Sequence, residues 1–128
     1  MLRRKVRHAD LRAVGEVRRE LRLLLNCWAG AGNAATEVAE VATLLTSELV
    51  TNALVHAEGG AVVTATVGDR LRVEVRDFVS GRPEPKAPTT EGTSGRGLVL
   101  VRSLADAWGI RSHGVGKSVW FELGGGPA

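Results

Sequence analysis

The chain has 128 residues, 44% of them apolar and 24% charged, with a formal net charge of +3. That length suits a single domain with one real core, and the composition is that of an ordinary globular protein. The basic excess gathers at the start, in RRKVRH, while three tryptophans and two phenylalanines offer few rings for stacking. No recognition motif accompanies the charge, so direct nucleic-acid binding is not expected.

The single cysteine, Cys27, excludes an intramolecular disulfide framework and suits a reducing compartment. Lying in LLLNCW, it reads as a buried thiol rather than a nucleophile. No apolar run approaches a membrane span, and Glu16, Arg18, Arg19 and Glu20 interrupt any signal-peptide core. A cytoplasmic protein is expected, with no membrane partner.

In chain order, residues 1–8 read as a frayed, solvated end. Asp10 can cap a helix running to about Trp28, with Leu11, Val14, Val17, Leu21, Leu24 and Leu25 on one face. That face can pack inside the domain or offer a homodimer or partner surface. AGAGN breaks the helix, and a second one runs to about Ala57 with Val38, Val41, Leu44, Leu45, Leu49 and Ala53 in its stripe. Gly59 and Gly60 stop it. The period then changes to two. AVVTATV and LRVEVRD, separated by Gly68, Asp69 and Arg70, form a hairpin.

Residues 79–96 show no periodicity and hold three of the four prolines, as expected of a lid, a binding loop or a disordered spacer. They close in SGRG, before a third helix over LVLVRSLADAWG that carries Leu98, Val101, Leu104, Ala105 and Trp108 on one face and stops at Gly109. IRSHG and GKSVWFEL form a last strand pair, and residues 124–128 fray. This order predicts a single α+β two-layer domain spanning residues 1–128, with one mixed or antiparallel β-sheet covered on one face by helices.

Three features carry chemistry. In ELVTNALVHA, Glu48, Asn52 and His56 fall at i, i+4 and i+8, so three polar groups run down one side of an apolar helix. Alone, that line reads equally as a solvated face. An amide oxygen is nevertheless a hard ligand for Mg²⁺, and a carboxylate one turn earlier can activate a hydroxyl or water. Asp77 continues the apolar side of its strand, where a carboxylate either meets a partner such as an exocyclic amine or lies beyond a fraying strand end. Gly95 and Gly97 flank Arg96 just before Leu98, where backbone N–H groups, the helix dipole and a cation can hold phosphate, though a glycine-rich helix start is also a common linker.

The order ELVTNALVHA, VRDFVSG, GTSGRGLVLV and GKSVWFEL resembles the Bergerat-type ATP-binding fold of the GHKL superfamily, which includes gyrase, heat-shock chaperones, histidine kinases and MutL. It is most similar there to the anti-sigma-factor serine/threonine kinases and their short actinobacterial relatives, over about residues 40 to 123. The resemblance implies ATP and Mg²⁺ as cofactors, Glu48 as catalytic base and Asn52 as the metal ligand. It implies a structural or phosphate-adjacent role for His56, adenine recognition by Asp77 and Gly81, and phosphate binding by the Gly95–Leu98 turn.

Two departures stand out. The sheet-end motif, usually Asp-x-Gly-x-Gly, has Val79 in place of its first glycine. Relatives often carry Thr directly after the last-strand glycine, where this chain has Lys117. Ser118 is the nearest hydroxyl and is kept as a candidate binding residue, although its parity points it away. The resemblance implies a regulatory kinase that binds a sigma factor and phosphorylates an antagonist protein. The alternatives are a nucleotide-gated protein-binding module without catalysis and a simple ATPase.

Overall fold

The computed structural model describes residues 2–7, 10, 12–26, 35–56, 60–78, 93–113 and 116–124, without the side chains of 35–36, 55–56 and 93–96. The elements run β1 (Leu2–Val6), α1 (Arg12–Asn26), α2 (Ala35–His56), β2 (Ala61–Val67), β3 (Leu71–Asp77), α3 (Thr93–Leu104), β4 (Ala107–Ser112) and β5 (Lys117–Leu123). The strands form one five-stranded sheet in the order β1-β2-β3-β5-β4. Every pairing is antiparallel, which decides between the two sheet types the sequence allowed. The α+β two-layer expectation is met.

Alternation builds the core. Leu71, Val73 and Val75 of β3 are buried, and Val73 and Val75 lie opposite Phe121 and Val119 of β5. Ala61, Val63 and Ala65 continue that face on β2. The helices cover it with Val17 and Leu21 from α1, Leu45, Leu49 and Leu54 from α2, and Val101 from α3. Fully buried side chains such as Leu21, Leu45 and Phe121 each contribute roughly 2–3 kcal/mol relative to exposure. Within α2, Leu44 lies outside the stripe assigned to it and is exposed, while Val50 and Leu54 are fully buried.

The N-terminus differs from expectation. Residues 2–6 are not frayed but pair along β2, from Leu2 opposite Ala65 to Val6 opposite Ala61. The cause lies in the period: Leu2, Arg4 and Val6 share the inner face, and Leu2 and Val6 enter the core. Arg4, between them, bonds Glu16 and Glu20 on α1. The Glu20 hydrogen bond, with the charge of both carboxylates, raises the Arg4 pKa further above its ordinary value. Val6→Ala is expected to lower stability by about 2 kcal/mol in urea unfolding. A frayed end would leave the midpoint unchanged.

The third helix also differs. It starts at Thr93 and ends at Leu104, so Trp108 and Gly109 belong to β4 rather than to a helical face and its stop. Ala105 N–H still bonds the Val101 carbonyl (2.9 Å), but Asp106 N–H turns to Glu122 O (2.9 Å) and opens the β4–β5 ladder. The Asp106 carboxylate also accepts the Gly124 N–H (2.7 Å). Gly109 is required for another reason: a Cβ there would lie 2.7 Å from Trp120 Nε1, on the strand opposite.

Candidate functional site

Helix α2 lies between α1 and α3 and presents different residues to each. Glu48 and Asn52, one turn apart, are both half-buried, while the side chain of His56, the last residue of α2, lies outside the described residues. Glu48 lines an open groove of about 350 Å³ between α1 and α2, with Arg18 and Arg22 on one wall and Ser47 beside it. Asn52 meets α3 instead. A Cβ on Gly97 would stand 2.7 Å from Asn52 Nδ2, so the two helices come this close because position 97 has no side chain.

That contact adds a packing role to the glycine turn. Gly95 and Gly97 do not precede the helix but lie inside α3. Gly95 remains in the first turn, where N–H groups lack intrahelical acceptors. Gly97 falls one turn in and is buried, and its function in the structure is close approach to Asn52. Gly97→Ala should raise helix propensity by up to about 1 kcal/mol, offset by the clash. The melting temperature is expected to change little, while ATP affinity, read by calorimetry, falls about tenfold as the Asn52 amide is displaced.

Asn52 also supplies the decisive polar feature. Its Oδ1 is buried with no hydrogen-bond partner among the described residues. An unpaired buried acceptor costs roughly 1–3 kcal/mol, which a cation at this oxygen would offset. Among the described residues no three His, Cys, Asp or Glu side chains converge as a metal cage. An Mg²⁺ ion here would therefore lean on Asn52 and on phosphate oxygens, a pattern that suits this ion.

Asp77 is the last residue of β3 and pairs with Ala61, so the strand does not fray before it. It shares the helix-covered face with Val73 and Val75, and its Oδ1 accepts the backbone N–H of Lys117 (3.2 Å). Gly116 makes this possible. Its φ is +78°, and a Cβ would meet the Asp77 carbonyl oxygen at 2.1 Å and Oδ1 at 2.9 Å. Lys117, at the position where relatives often carry Thr, is exposed and starts β5 on the Val119 face.

Ser118 is fully buried but faces the other way. It pairs with Arg76 and Arg111 on the face away from the helices, and its Oγ is 2.6 Å from His113 Nε2. The structure does not bring it together with Asp77 and Asn52. Leu98, in α3, is half-buried and packs on the core. The side chain of Arg96, and Val79 and Gly81 entirely, lie outside the described residues.

A family model described as the histidine kinase-like ATPase domain matches residues 8–123. The chain belongs to that family. The match spans nearly its whole length and takes in α2, the Asp77 strand end, α3 and β5 together. This ATPase domain has no match among curated proteins. The family accounts for an ATP-binding function. No helix among the described residues is long and apolar enough to cross a membrane.

Proposed function

We propose that this ATPase domain is a cytoplasmic regulatory serine/threonine kinase of the anti-sigma-factor type. It would engage a sigma factor and transfer phosphate from ATP to a serine on a small antagonist protein. The observation that carries the reading is the unpartnered, buried Asn52 Oδ1 one helical turn from Glu48. It is the donor a single-amide Mg²⁺ site requires, next to a carboxylate that opens on a groove.

When bound, Mg-ATP supplies the phosphoryl group and the charge neutralisation that the transfer needs. Glu48 orients the acceptor hydroxyl and takes its proton as the oxygen bonds to phosphorus and ADP leaves. Asp77, held by the Lys117 N–H and by the close approach of Gly116, presents a carboxylate to the adenine amino group. The α1–α2 groove gives the acceptor a route to Glu48 from outside.

The test is calorimetric titration with ATP, with and without Mg²⁺, on the wild type and Asn52→Ala, followed by transfer of labelled phosphate to the antagonist. Saturable, Mg²⁺-dependent binding that weakens at least tenfold in the variant, followed by labelling of a serine, is expected. Absence of binding at millimolar ATP would sink the assignment.

A second reading, a nucleotide-gated protein-binding module without catalysis, is favoured by one observation. Lys117, exposed at the start of β5, brings a charged side chain to the position where relatives often carry Thr. Under that reading the protein complex forms and responds to nucleotide, but no phosphate is transferred.

A further inference from the structure

The face of the sheet away from the helices is a ladder of charges that matches itself at one end only. Because directly paired residues share a face, rows can be followed across the strands. One row holds Arg72 and Glu122, where Arg72 bonds Glu122 (3.2 Å), Arg70 approaches the same carboxylate (3.6 Å) and Arg72 reaches Glu74 (3.9 Å). The row nearest the Asp77 end reads Lys5, Val62, Arg76, Ser118, Arg111 across all five strands. It contains three cations and no carboxylate. Among the described residues neither Arg76 nor Arg111 forms an ion pair.

The middle of this row is built rather than merely basic. Ser118 is fully buried between the two arginines, and His113 lies over it with Nε2 2.6 Å from its Oγ. Arg76 is held by stacking on Phe78, 4.7 Å from guanidinium carbon to ring centroid, and its Nε is buried with no acceptor among the described residues. Arg111 is exposed. The arginines are two strand spacings apart, about 10 Å at the backbone, so both guanidinium groups can reach one tetrahedral anion above the Ser118–His113 pair. Arginine is suited to that geometry, because its planar fork donates two parallel hydrogen bonds to phosphate oxygens.

We infer that Arg76, Arg111, His113 and Ser118 form a phosphate-dianion site on the open face of the sheet, separate from the nucleotide site on the helix-covered face. The ligand is a phosphate group, either free or as a phosphomonoester. The inference does not depend on kinase activity.

The experiment is an NMR titration of the full chain with inorganic phosphate and, in a second arm, with O-phosphoserine. Sodium chloride at matched ionic strength is the reference. Saturable shifts of the Ser118 and Arg111 amides and of the His113 ring are expected, with affinity reduced about tenfold in both Arg76→Gln and Arg111→Gln. The shifts should persist in Asn52→Ala, which separates this site from the nucleotide site. Saturation by both ligands identifies a phosphomonoester as sufficient, and saturation by phosphate alone identifies the free ion. The proposal is overturned if chloride reproduces the shifts, if neither ligand saturates, or if both folded arginine variants bind as the wild type does.

Discussion

In the proposed kinase, Glu48→Gln is expected to cut phosphotransfer by about 100- to 10,000-fold, the usual contribution of a positioned general base. ATP affinity should stay within about threefold, because the substitution keeps the size of the side chain and leaves the Asn52 oxygen in place. The split is informative. Loss of both binding and turnover would assign Glu48 to nucleotide binding rather than proton transfer. Unchanged turnover would remove it from the mechanism. Single-turnover labelling of the antagonist at saturating Mg-ATP measures the transfer step, and calorimetry measures binding.

Gly116→Val should be the most damaging single change at the site that touches no ligand. The left-handed backbone at φ +78° costs a residue with a Cβ roughly 1–2 kcal/mol, and a Cβ 2.1 Å from the Asp77 carbonyl oxygen cannot be accommodated without moving the β3 end. A total loss of about 2–4 kcal/mol is expected in urea unfolding, together with loss of detectable ATP binding as Asp77 is displaced. Gly68→Val is the matched control. Gly68 also lies in a turn, but a Cβ there meets nothing within 4 Å, so a change under about 1 kcal/mol is expected. Equal effects at the two positions would show that Gly116 matters only as a turn residue.

Much of this could be read from the chain by eye. Wherever one face is buried and the other wet, the period is strong, as in Leu71–Asp77 and in α1. The hairpin about Gly68 and the helix carrying Glu48 and Asn52 follow directly. The errors fall where two signals compete. The net charge of RRKV reads as a charged tail and masks an alternation of Leu2, Arg4 and Val6. LADAWG looked helical because Leu104, Ala105 and Trp108 fit a helical face, yet the backbone partner of Asp106 is Glu122, in a strand sixteen residues away.

Sequence alone determined the family-defining order of motifs, the α+β layers and the placing of Glu48 and Asn52 one turn apart on α2, since these depend on residue type and local spacing. Tertiary structure alone decided which glycine does what. Gly97 and Gly116 are both small residues beside a motif, and only the packing shows one against Asn52 and the other against Asp77. It also decided which face Ser118 joins and that Asn52 Oδ1 is left without a partner. The physical reason is the same in each case. A close approach or an unmet hydrogen bond is a property of two segments brought together, and neither segment carries it by itself.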